Sequence, residues 1–170
     1  VKQARQMGVS TMLAFHVANF LLNNTSNDNY IGLLVIKKEL GYRFIDLLER
    51  ILTESKIEYK RPTQHEIKTP NGNGFRILTE NKLIAHKYHT LIVENAGLFH
   101  NLKLIYPACI ALSKRLFVIS GQTEKPLFGE DHVFKTIVLN YRLNKKFNED
   151  WAHHMKTILG DKNFEMEYDV

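Results

Sequence analysis

Three short segments carry side chains whose types and spacing suit phosphate and metal chemistry. In the first, Lys2-Gln3-Ala4-Arg5-Gln6-Met7-Gly8-Val9-Ser10-Thr11, a glycine and two hydroxyl residues stand directly before an apolar segment with the pattern of a helix. A phosphate-binding loop needs a glycine that lets backbone approach the phosphates and amides opening onto a helix N-terminus. It also needs a lysine for the terminal phosphates and a hydroxyl for magnesium. Glycine, hydroxyls and helix are present, but Val9 occupies the place of the lysine in the common glycine-lysine-serine/threonine pattern. The same residues also fit an ordinary loop in which Ser10 caps the helix.

The second segment, Leu91 to Asn95, is an apolar run that ends in Glu94. Nucleotide hydrolases place an acid at the end of such a strand, where it holds magnesium through water, and many follow it with a second acid that orients the attacking water. Asn95 occupies that second position; its amide bonds water but takes no proton at neutral pH. A solvated strand end is the alternative. The third segment, Ser120-Gly121-Gln122-Thr123, follows the run LFVI, where a hydroxyl or amide can sense a terminal phosphate or simply make a turn. His86 and His89, and the adjacent His153 and His154, lack the companion ligands of a zinc spacing. Glu165, Glu167 and Asp169 resemble a two-metal nuclease cluster only superficially.

These segments need a scaffold that brings them together. The runs 31–36, 89–93, 116–120 and 135–139 are short, β-branched and weakly alternating, as strands buried on both faces are. Residues 10–22 are apolar almost all round and predict a buried helix, and Leu40, Phe44, Leu47, Leu48 and Ile51 make one stripe on an amphipathic helix. Alternating strands and helices imply a parallel α/β sheet, which we expect to contain all four runs and to gather Gly8, Ser10, Glu94 and Gln122 at one edge. Asn-Gly-Asn-Gly at 71–74, inside 66–78, predicts a β-hairpin insertion. Asn148 is placed to cap a last helix with Trp151, Met155, Ile158 and Leu159 on one face and Gly160 as its stop.

The 170 residues suit one domain, here 1–170. No apolar run reaches the 18 or so residues of a membrane span, so we expect a soluble intracellular protein with no membrane partner. A net charge of +5 permits an anionic partner such as nucleic acid or nucleotide, although the basic pairs are scattered as on a solvated surface. Cys109, the single cysteine, excludes an internal disulfide and reads as a small buried apolar residue. The start at VKQA and the finish at FEMEYDV suggest a fragment of a longer polypeptide.

The order of these segments resembles the ATPase domain of the large terminase subunits of tailed double-stranded DNA phages. ARQMGVST is similar to that family's Walker A loop, IGLLVIKK to its second strand, and EIKTPNGNGFRI to its hairpin. TLIVENAGLF is similar to its Walker B region, LFVISGQT to its coupling motif, and DWAHHMKTILGDKNFEMEY to the segment before its nuclease domain. The resemblance implies an α/β P-loop NTPase of the additional-strand type, a mostly parallel sheet flanked by helices with a β-hairpin insertion. It implies ATP and Mg2+ as cofactors, with Lys2, Arg5, Gln6, Gly8, Ser10 and Thr11 around the phosphates and Ser10 and Glu94 around the metal. Lys2 matches a deviant arrangement with the lysine at the start of the loop, and Arg5 the arginine finger on the γ-phosphate. Asn95 stands at the catalytic glutamate and Ser120, Gly121, Gln122 and Thr123 at the coupling segment. The implied function is ATP-driven translocation of double-stranded DNA into a procapsid by a homo-oligomeric ring in the host cytoplasm, with the viral portal and small terminase subunit as partners. The family's adenine-contacting region and nuclease domain would lie outside these residues. Another P-loop ATPase, such as a helicase-like motor, would lack the tail from Trp151 to Tyr168. Val9 and Asn95 together favour a degenerate nucleotide-binding or structural module.

Overall fold

A computed structural model describes residues 2–3, 8–24, 29–120, 138–139, 148–161 and 164. Strands run β1 (Lys2–Gln3), β2 (Tyr30–Leu34), β3 (Lys60–Thr63), β4 (Glu66–Lys68), β5 (Gly74–Leu78), β6 (Tyr88–Val93), β7 (Ser113–Val118) and β8 (Val138–Leu139). The α-helices are α1 (Val9–Asn23), α2 (Lys38–Glu54), α3 (Leu102–Leu112) and α4 (Glu149–Leu159).

Among the described residues six strands form one sheet in the order β3-β4-β5-β2-β6-β7. The four from β5 to β7 are parallel; β3 and β4 extend one side antiparallel, β4 and β5 enclosing the Asn-Gly-Asn-Gly turn as expected. The fold is the expected mostly parallel α/β sheet with a hairpin insertion. The strands β2, β5 and β6 face a core on both sides, which is why their polar alternation is weak; β7 is the sheet edge, with Lys114, Arg115 and Phe117 exposed, so the expectation of a strand buried on both faces fails there. Ile31, Leu33, Ile77 and Ile92 pack with α1 and α2 on one side, and Leu34, Leu78, Leu91 and Val93 with Cys109 of α3 on the other. Gly41 lies where α2 comes closest to the sheet: a Cβ there would meet Ile77 Cγ2 at 2.5 Å.

Several expectations need correction. Val35 and Ile36 fall outside β2, and β7 ends at Val118 rather than Ser120. The described part of 135–139 is not in the large sheet; Val138–Leu139 pairs in parallel with Lys2–Gln3 as a separate two-stranded ladder. The first helix is buried on one side only: Val17 and Leu21 are fully covered, but Met12, Phe15 and Leu22 are more than half exposed. Its apolar circumference misled because composition around a helix does not say how many sides are packed. α3 was not anticipated, since Pro107 sits inside it and lacks the amide of a continuing helix. In α4 Asn148 Oδ1 accepts from the Trp151 amide at 2.9 Å as expected, but Ile158 is exposed and Ala152 is the buried contact.

Candidate functional site at the carboxyl edge of the sheet

Parallel strands present all their carboxyl ends on one edge, and Ser10 of the first chemical segment meets Glu94 and Asn95 of the second there. α1 begins at Val9 after Gly8, whose φ of 73° is a left-handed conformation that glycine takes without strain. No side chain caps this end, and its first turn carries no acid. Its positive end is therefore open to an anion from outside the helix. The alternative role for Ser10 as cap is corrected: Gly8 is the cap, and Ser10 lies within the first turn, where its Oγ donates to Glu94 Oε1 at 3.2 Å.

Glu94 follows β6 directly, its amide bonded to the Leu34 carbonyl at 3.1 Å. Burial raises the pKa of its carboxyl above the usual range, with the Ser10 hydroxyl opposing the shift. A carboxylate held out of water beside a hydroxyl is a pair of hard oxygen donors short of positive charge, which suits Mg2+ with most of its waters retained. Among the described residues no group of three or more His, Cys, Asp or Glu side chains gathers to hold a metal.

The chain reverses at Asn95, whose φ of 54° and ψ of 46° lie in the left-handed region that asparagine tolerates better than most residues. The turn is fixed to the neighbouring strand: the Ala96 amide donates to the Ile119 carbonyl at 2.8 Å and the Gly97 amide to Ser120 Oγ at 3.2 Å. Ser120 is only 3% exposed, so its hydroxyl secures the turn after Glu94 instead of facing open solvent. Thr11 is exposed in the first turn of α1. Arg5, Gln6, Gly121, Gln122 and Thr123 lie outside the described residues, as do Glu165, Glu167 and Asp169; Lys2 is described through its backbone in β1.

Ser10, Glu94 and Asn95 share a cavity of about 270 Å³. Its other wall is α2, through Leu40, Arg43, Leu47 and Arg50. Both arginines were missed in the sequence. The available signal was their spacing of seven, two helical turns, beside the stripe of Leu40 and Leu47.

No family model and no curated protein matches this sequence. Solved structures do. The ATPase domain of the large terminase of Thermus phage P74-26 superposes with a TM-score of 0.72 over 99% of this chain and 85% of that one, at 14% identity. The large terminase of a thermophilic bacteriophage in complex with ADP gives 0.70 at 9% identity, over 98% of this chain and 46% of that one. The same protein with ATP-γ-S gives 0.67 at 9% identity, over 98% and 45%. The chain thus has the fold of a phage large terminase ATPase domain and spans less than half the length of the whole large terminase in those two complexes.

Proposed function

We propose that this chain is the ATP-binding motor domain of a viral DNA-packaging terminase, coupling ATP hydrolysis to translocation of double-stranded DNA. The observation that carries the reading is the Ser10–Glu94 pair, formed at 3.2 Å across 84 residues of sequence at the uncapped start of α1. An ordinary loop and a solvated strand end have no reason to meet. The fold it shares with terminases solved with ADP and ATP-γ-S supports the nucleotide.

In this reading the amides from Gly8 to Thr11, with Lys2, Arg5 and Gln6, hold the phosphates. Arg5 stabilises charge on the γ-phosphate as it leaves. Ser10 and Glu94 would hold Mg2+, which supplies charge neutralisation on the phosphate oxygens when bound. Ser120 ties the turn after Glu94 to the segment that follows β7, which gives a shift at Glu94 a route to the 120–123 segment, the proposed reporter of phosphate loss. DNA, the portal, the small terminase subunit and neighbouring copies in a ring are the proposed partners.

A nucleotide-binding module without turnover is the second reading, favoured by the amide of Asn95 where a water-orienting glutamate would stand. Single-turnover ATP hydrolysis and equilibrium ATP binding by the full-length protein separate them. The motor reading expects ATP binding that Lys2→Ala sharply weakens and Val9→Ala leaves intact, with turnover that is slow and that Asn95→Glu raises without tighter binding. Absence of ATP binding overturns both readings. Binding without turnover in any assembly leaves only the module, and equal affinity in Lys2→Ala removes that lysine from the site.

A further inference from the structure

The cavity at Ser10 and Glu94 has a wall to which the nucleotide reading assigns no role. α2 brings Arg43 and Arg50 to it. Among the described residues neither guanidinium is in an ion pair. By contrast, Arg61 is bound to Glu49 at 2.7 Å and Arg76 to Glu66 at 3.0 Å. Arg61 and Arg76 are thus matched to a carboxylate; Arg43 and Arg50, like Arg115 on β7, are exposed without an ion pair among the described residues, and of these three Arg43 and Arg50 line the cavity. Of the two, Arg43 is nearer the start of α2, five residues after Lys38. That end of the helix follows the carboxyl end of β2, and Leu34 of β2 is in register with Val93, the residue before Glu94. Arg50 is roughly 10 Å further along the axis.

Facing this wall is Glu94, a carboxylate whose burial already disfavours its charge. The cavity lining carries two guanidinium groups and one acid, beside a helix N-terminus with no acid of its own; Arg50 also shares a second hollow with Asp46, Glu49 and Glu54, which Arg43 does not line. Position 9, where a phosphate loop commonly places lysine, is valine. A planar guanidinium forks onto two phosphate oxygens, which a point charge does not do.

We propose that Arg43 engages the terminal phosphate of the bound nucleoside triphosphate and, with Arg50 behind it, supplies from α2 positive charge that Val9 cannot. The proposal rests on the nucleotide reading. It makes α2 the element that distinguishes triphosphate from diphosphate. Through Gly41 against Ile77, α2 presses on β5 of the hairpin, so engagement at Arg43 has a direct mechanical path to the hairpin side of the sheet.

The test is an equilibrium titration of the full-length protein with a non-hydrolysable ATP analogue and with ADP, each with magnesium. Unfolding transitions are recorded alongside. Arg43→Ala is expected to lower the preference for triphosphate over diphosphate at least about tenfold while leaving ADP affinity unchanged. Arg43→Lys should restore part of it, since charge returns without the fork. Lys60→Ala, an exposed cation on β3, should leave both affinities as they were. An unmoved preference in Arg43→Ala overturns the assignment, as does an equal loss for both nucleotides, which marks a structural role. Failure of the unsubstituted protein to bind either nucleotide is a different result: it overturns the nucleotide reading and this assignment with it.

Discussion

The two ends of α1 are treated in opposite ways. At its C-terminus the hairpin turn answers the carbonyls that a helix leaves unbonded. Asn71 Nδ2 donates to the Leu21 carbonyl at 3.0 Å and Asn73 Nδ2 to the Asn24 carbonyl at 2.7 Å, while Asn24 Nδ2 returns a bond to Asn73 Oδ1 at 3.2 Å. Asn73 is fully buried, and its own amide donates to Asn71 Oδ1 at 3.1 Å. At the N-terminus no side chain caps the helix and its own first turn carries no acid. The nearest carboxylate, Glu94, is half-buried and is bonded to a single hydroxyl among the described side chains. The polar groups of the hairpin turn bond one another and the helix, whereas Ser10 and Glu94 at the carboxyl edge retain unused donors and acceptors, the condition of a site that awaits a ligand.

The largest expected effect lies at the open end. Glu94→Gln should reduce ATP turnover by roughly 10²–10³-fold, the scale seen when one preorganised charged partner is removed. Stability should hold or rise, because the substitution removes a charge that burial disfavours. The sign follows from the direction of the shift: a carboxyl whose pKa is raised on folding gives stability that is present at low pH and is lost as pH climbs from 4.5 through the raised value. Denaturant unfolding of both proteins should show the advantage of glutamine above that window and its disappearance below it. A clear loss of stability at neutral pH would place Glu94 with the structural groups and end the contrast.

At the closed end the expectation is reversed. Asn73→Ala should lower the unfolding free energy by about 1–3 kcal/mol, since it removes both side-chain bonds to Asn24, at its carbonyl and at its Nδ2, from a fully buried position. ATP affinity of the folded protein should be unchanged. Urea unfolding paired with nucleotide titration measures both, and a loss below about 1 kcal/mol would show that water replaces the amide without strain.

This contrast was partly legible in the residues themselves. Asn-Gly-Asn-Gly announced the hairpin through local backbone preference, and Asn148 and Gly160 bounded α4 through equally local capping rules. Glu94 could be named as a candidate because strand-end position in a parallel sheet is itself a prediction of place, and Gly8 and Ser10 because a glycine and hydroxyls stand directly before a helical pattern. What could not be read was tertiary. Nothing in Asn71 or Asn73 says that their amides cap a helix fifty residues earlier. The spacing of seven puts Arg43 and Arg50 on one side of α2, but it does not say that this side meets the strand edge. The exposed side of α1 and the helix around Pro107 were missed because local pattern is silent on which faces find a neighbour and on when packing outweighs a missing amide hydrogen bond.

The smallest expected effect concerns Asn95, where backbone and side chain make separable demands. Its left-handed conformation suits asparagine and glycine, and alanine there should cost about 1 kcal/mol, whereas Asn95→Gly should stay within a few tenths of the parent. The side chain makes no capping bond to the 3-10 turn that follows, although it borders the cavity with Glu94, so its amide is free to bond water there. If the residue served only the turn, glycine would keep full turnover and alanine would lose it in proportion to stability. If the amide positions water, the two substitutions should slow turnover alike, by about tenfold, despite their different stabilities. We expect the second pattern. Single-turnover hydrolysis measured with the unfolding transition of each variant decides it, and parent-like turnover in Asn95→Gly would assign Asn95 to the turn alone and move Asn95 from the open end of the comparison to the closed one.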